Sequence, residues 1–258
     1  MGDLLQKIEF ATKIIDLRTT LTFSQNKDLR EHSLEVSQIA RMILKSIDKE
    51  KSKIKIDERT QNILNFVDID TLADLYELHD LGKVFIPEFI LNKPSNLTSD
   101  EYRVVQHHPI FAERMLETIL LQETKLSLSM RAFYDALFII CGEHHENYDG
   151  SGYPRGKKGE DISLLGRVAR VADVISALMG NRCYDREITS FTSIATYLQE
   201  KSNILFDKEI VDITISKNTN ELHQKFSNKK KKQLENIFNS KQFLDKIISS
   251  NFNLEKTN

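Results

Sequence analysis

The stretch LREHSLEVSQIARMILKSI, Leu29 to Ile47, repeats apolar positions three and four residues apart: Leu29, His32, Val36, Ile39, Ile43 and Ile47 fall on one row. That period is helical, and it sets a histidine on the face that should be buried. The same spacing recurs in Leu72, Leu75, Tyr76 and His79, and again in Leu164, Val168, Val171, Ile175 and Leu178. Thr98 with Glu101 reads as a capping box opening a helix that runs toward His107, where Pro109 interrupts it. No convincing alternating strand runs and no Asn-Gly hairpins occur, so the fold class is expected to be all-α. Three loops break the pattern: Asp48 to Thr60, Val84 to Leu97 and Glu146 to Ile162, the last rich in glycine.

A chain of 258 residues can bury a substantial core, and 40% hydrophobic with 29% charged residues is an ordinary globular balance. The net charge of -2 gives no support to nucleic-acid binding. Two cysteines, Cys141 and Cys183, make no disulfide framework and imply a reducing compartment. With no secretory start and no apolar run near the roughly 20 residues a bilayer requires, the expectation is a cytoplasmic protein without a membrane partner. Composition shifts after about Ile213, giving an N-terminal helix over 1–26, a central domain over 27–213 and a helical extension over 214–258. The lysines of the run Asn228 to Gln233 read first as a solvated face, with an anionic-partner patch as the other reading. An apolar stripe from Leu4 to Leu17 admits a homodimer contact, a signalling-protein partner or plain internal packing.

Six of the seven histidines, His32, His79, His107, His108, His144 and His145, lie in segments dense in ligand-type side chains; His223 does not. Neutral imidazole and carboxylate suit Fe, Mn and Zn, and the scarcity of cysteine argues against a thiolate site. Each member has a plainer reading. His32 can be a satisfied core histidine, although Asp28 lies one turn earlier on the same face, where a buried carboxylate needs a cation. His79-Asp80 can be a surface pair, with the two side chains about 100° apart on a helix. His107-His108 can cap a helix end, and His144-His145 can be a loop pair. Asp173 falls one residue past a buried row, where an unpaired acid is expensive. One polynuclear site accounts for all of them together. Cys183 is a candidate redox-sensitive thiol, while Glu146 and Asp149 fit roles in orienting a ligand imidazole or forming the turn.

His79-Asp80-Leu81-Gly82-Lys83, the Leu97 to His108 helix ending in His-Pro, His144-His145-Glu146 with Asp149-Gly150-Ser151-Gly152-Tyr153-Pro154, and Val171-Ala172-Asp173 resemble the HD-GYP domain, a subgroup of the HD phosphohydrolases. Order and spacing agree from about Asp28 to Ile213. The resemblance implies an all-helical, HD-type bundle and a metal-dependent phosphodiesterase that hydrolyses cyclic di-GMP to pGpG or GMP through a metal-bound hydroxide. It implies two or three divalent ions, Fe or Mn, held by His32, His79, Asp80, His108, His144, His145 and Asp173, with Asp80 bridging. Asp28 stands where some members use an acid for a third ion. Lys83, Tyr153 and Arg182 match substrate-side residues, and Lys83 would also stabilise charge on the phosphoryl oxygens. Asp185 replaces a family cation, for which Arg186 is a substitute shifted by one. The alternatives are a catalytically weak module that binds a cyclic dinucleotide or a protein partner, and an HD hydrolase acting on another nucleotide.

Overall fold

In the computed structural model, residues 12–13, 16–18, 27–50, 54–123, 125–180 and 190–254 are described, without the side chains of 27, 28 and 233–254. The expectations resting on Arg182, Cys183, Asp185, Arg186, the Asp28 side chain and most of the N-terminal stripe therefore lie outside the described residues. Of that stripe Leu17 is described, and it is buried in the core.

Among the described residues the chain is helical, with no β-sheet. Helix α1, Lys27–Lys49, follows the apolar row: Val36, Ile39, Ile43 and Ile47 are buried, and the helix packs on α3 (Ile69–Leu75), α8 (Leu164–Met179) and α10 (Lys208–Leu254). Helix α2, Glu58–Leu64, and helix α3 each start at an aspartate. Asp57 accepts from the Thr60 amide at 2.9 Å, and Asp68 accepts from the amides of Asp70 and Thr71 at 3.0 Å. Such caps satisfy amides that have no partner within the helix.

The Val84 to Leu97 loop contains a short helix, α4 (Glu88–Leu91). Helix α5, Ser99–Val105, opens with the expected capping box: Thr98 Oγ1 accepts from the Glu101 amide at 3.3 Å, and Glu101 accepts from the Thr98 amide at 2.7 Å. Pro109 does not simply end this helix; it sits in the first turn of α6, His108–Gln122, where its missing N–H is no loss. Helix α7, Leu128–Glu143, is buried along most of its length and packs between α6 and α8. Its exposed charges, Arg131 and Asp135, fall in its first half, and the segment Ala136 to Cys141 that follows is apolar all round and has to be central. Helix α9, Phe191–Glu200, precedes α10, which runs continuously through residues 213 and 214, where the composition changes.

Candidate metal centre

His79 and Asp80 do not lie on a regular helix. They link two 3-10 turns, Tyr76–Leu78 and Leu81–Phe85, and Asp80 has φ -92° and ψ 16°. The expected divergence of about 100° is therefore absent: His79 Nε2 lies 3.3 Å from Asp80 Oδ2. Both side chains are buried at 1% exposure. Gly82 makes the arrangement feasible, since a Cβ there would sit 1.8 Å from the His108 carbonyl oxygen and 2.7 Å from the Ala112 amide nitrogen. Without a side chain at 82, the turn seats against the start of α6 and brings Asp80 Oδ1 within 3.2 Å of His108 Nε2.

Three ring orientations follow from backbone carbonyls, which only accept hydrogen bonds. Nδ1–H of His79 donates to Tyr76 O at 2.9 Å, that of His108 to Val105 O at 2.7 Å, and that of His144 to Cys141 O at 2.9 Å. In each neutral ring Nε2 is then left with a lone pair facing inward. His108 Nε2 and His144 Nε2 face each other at 3.0 Å, and His144 Nε2 is 3.6 Å from Asp80 Oδ1. Acceptors converging on one point call for a cation between them. On the other side His32 Nε2 lies 3.0 Å from Asp173 Oδ1, which is 4.0 Å from His79 Nε2.

The donors form two groups, Asp80, His108, His144 and His145 in one and His32, His79 and Asp173 in the other, each with all its ligand atoms within 4.8 Å of one another. Asp80 joins them, its Oδ1 toward His108 and its Oδ2 toward His79. The fit to metal rests on this donor set and on two buried atoms, His79 Nε2 and Asp80 Oδ1, which have no hydrogen-bond partner among the described residues. Burial opposes charge on Asp80, but Lys83 and His79 outweigh it and hold the carboxyl well below the usual range. His32 outweighs burial in the same way at Asp173. Burial pushes His32 down, His144 to about 4 and His145 well below the ordinary histidine value, so these rings stay neutral, as ligation requires.

The glycine-rich loop forms one wall. Tyr153 stacks on His145 with ring centroids 4.6 Å apart and 23° between planes. A Cβ on Gly152 would lie 2.2 Å from the Asn147 amide nitrogen, so glycine is required at that bend. Glu146, 1% exposed, accepts from the amides of Arg155 at 2.8 Å and Lys157 at 2.9 Å, which engages both its oxygens as a clamp on the loop. Asp149 accepts from the Ser151 amide at 2.8 Å, an ordinary turn contact. Lys83 Nζ lies 2.6 Å from Asp80 Oδ2. His107 is exposed, its Nδ1–H donating to Arg103 O at 2.7 Å, so it caps α5 and stays outside the cluster.

Three residues near the centre escaped the sequence reading. Arg170, three residues before Asp173, donates to Asn147 Oδ1 at 3.1 Å and acts electrostatically on both His145 and Tyr153. Ser176, three after Asp173, and Glu35, three after His32, stand behind the His32 ring. Spacing of three from a ligand, which keeps a side chain on the ligand's face of its helix, was the available signal.

The chain is similar to known proteins over part of its length. A probable cyclic di-GMP phosphodiesterase of Vibrio cholerae is 34% identical over 177 residues, 68% of this chain and 39% of that protein. The cyclic di-GMP phosphodiesterase response regulator RpfG of Xanthomonas campestris is 41% identical over 135 residues, 52% of this chain and 33% of that protein. A 3'3'-cGAMP-specific phosphodiesterase of Vibrio cholerae is 32% identical over 146 residues, 57% of this chain and 26% of that protein. The chain thus spans well under half the length of these relatives. The HD domain model matches residues 68–210, which hold every donor of the two groups except His32. The chain belongs to the HD domain family.

Proposed function

We propose that the chain is a metal-dependent phosphodiesterase of HD-GYP type that opens cyclic di-GMP to pGpG, with GMP as a further product. The observation that carries this reading is the pair of imidazole lone pairs, His108 Nε2 and His144 Nε2, meeting at 3.0 Å beside Asp80 Oδ1. His32, His79 and Asp173 would hold one ion, and His108, His144 and His145 another, with Asp80 serving both. Divalent cations bound there supply the charge that offsets a phosphodiester and acidifies a water. The donor set suits Fe or Mn, and Asp28 is the proposed ligand for a third ion.

Lys83, Tyr153, Arg182 and Arg186 are the proposed substrate contacts. Lys83, already beside Asp80, places positive charge where a phosphoryl oxygen would lie. Tyr153 bounds the wall over His145. Glu146 is committed to loop amides and Glu143 to Lys157 Nζ and the Ser163 amide, so neither is placed to shuttle a proton. We place the protein in the cytoplasm, and no helix among the described residues is long and apolar enough to cross a membrane. A homodimer or a signalling partner would act through the terminal segments.

The test is anaerobic loading with Mn²⁺ or Fe²⁺ followed by incubation with cyclic di-GMP and, in parallel, 3'3'-cGAMP. A linear product from cyclic di-GMP is expected. Metal-loaded protein that leaves it intact overturns the proposal, and cleavage of 3'3'-cGAMP alone assigns the second substrate, which one relative's specificity favours. Loss of one metal equivalent on Asp28→Ala is expected if the third ion is present.

A further inference from the structure

We infer that Ser176 and Glu35 are positioning residues for the His32 half of the metal centre, anchored by Lys229 of the C-terminal helix. This rests on the metal reading above. His79, His108 and His144 each have a carbonyl behind the ring, which fixes the tautomer. His32 has none. Its Nδ1 lies 2.9 Å from Ser176 Oγ, and a hydroxyl both donates and accepts. Left to itself, that hydroxyl could donate to Nδ1, forcing the ring proton onto Nε2, where it would block ligation.

Glu35 removes the ambiguity. Its Oε2 lies 2.8 Å from Ser176 Oγ and 2.5 Å from Lys229 Nζ. A carboxylate paired with an ammonium only accepts, so the Ser176 proton goes to Glu35 and the Ser176 lone pairs face His32 Nδ1–H. The other acceptor near the hydroxyl, His32 O, is farther away at 3.4 Å. Ser176 is 1% exposed, out of contact with bulk solvent. The result is a continuous path from Lys229 through Glu35, Ser176 and His32 to Asp173.

The lysine run acquires a role that neither sequence reading gave it. Lys229 reaches Glu35, Lys232 reaches Glu31 at 3.0 Å, and Lys225, just before the run, reaches Gln38 at 2.6 Å, so α10 is strapped along the helix that carries His32. A movement of α10 away from α1 acts on the His32, His79 and Asp173 group and leaves the Asp80, His108, His144 and His145 group in place.

The test is Mn²⁺ binding by the full chain, read by calorimetry or equilibrium dialysis, with the thermal melt of the metal-free protein as the folding control. Ser176→Ala should weaken one equivalent by about 10–100-fold and leave the rest at wild-type affinity. Lys229→Met, at a side chain 19% exposed and with its own melt as the folding control, should weaken the same equivalent several-fold. It should have no further effect in the Ser176→Ala background, because both act through one chain. Full wild-type binding by Lys229→Met, or additive losses in the double variant, overturns the inference while leaving the metal centre standing. A wild-type chain that takes up no Mn²⁺ overturns the metal reading and this inference with it.

Discussion

At the scale of single residues, the centre depends on groups held in forms they would not adopt in water. His32, His144 and His145 are kept neutral by burial, with His144 lowered to about 4. In metal-free protein the unfolded chain binds protons below about pH 6.5 that the folded rings refuse, so stability falls as pH drops from about 6.5 toward 4. His144 alone contributes on the order of 3 kcal/mol to that loss. Asp80 and Asp173, depressed by their cationic neighbours, act in the same direction at lower pH: their contribution is present above the unfolded value and lost as pH falls through the folded one. His79 runs the other way. Burial opposes its charge, but Asp80 outweighs that and raises it, so its contribution is lost as pH rises. Three rings against one predict a lower unfolding free energy at pH 5 than at pH 7.5, measured by urea titration of the metal-free protein; a higher value at pH 5 contradicts it. Gly82→Ala is the steric counterpart. Its Cβ would meet backbone of α6 at 1.8 Å, so the turn must withdraw, costing roughly 1–3 kcal/mol and most of the bound metal. Elemental analysis with a thermal melt checks this, and full metal retention contradicts it.

At the scale of elements, one carboxylate starts two helices. Asp57 Oδ1 takes the Thr60 amide, and Oδ2 takes Thr60 Oγ1 at 2.7 Å and the Leu164 amide at 2.8 Å, tying α2 to the first turn of α8. Removal of an ordinary cap costs about 1 kcal/mol, so Asp57→Ala, which gives up the Leu164 amide as well as the α2 cap, should cost about 2 kcal/mol, more than Asp68→Ala, which gives up the Asp70 and Thr71 amides of α3. Denaturant midpoints of the two variants decide it; equal losses would mean the Leu164 contact contributes nothing. Since α8 carries Asp173 and Ser176, the same cap sets the axial position of two groups on the metal side.

At the scale of the whole molecule, the buried pair Arg167 and Asp207 fastens α8 to the start of α10, with Arg167 Nε also donating to Ile162 O at 3.0 Å. Both side chains are about 5% exposed or less. Asp207→Ala strands a buried guanidinium and should destabilise by roughly 3–5 kcal/mol, whereas replacing both partners with apolar residues of similar volume should recover most of it. Urea unfolding of the single and double variants tests this; a double variant as unstable as the single contradicts it. Together with the Lys229 and Lys232 straps, this pair makes α10 a structural partner of the metal-bearing helices rather than an appendage.

The sequence by itself determined the helical class, the capping box at Thr98, and the identity of nearly every donor the fold gathers. The first two follow from local chemistry, apolar period and cap side chains, and the donors from the resemblance carried by six ligand-type histidines in four short segments. What only the tertiary structure decided is orientation. A dipeptide on an ideal helix points two ways, yet His79 and Asp80 converge because Gly82 lets a 3-10 turn press against α6. The proton positions on the rings, the commitment of Glu146 to loop amides, and the link from Lys229 to His32 depend on which carbonyl, amide or carboxylate a distant segment brings within about 3 Å, and residue spacing along a chain carries no record of that.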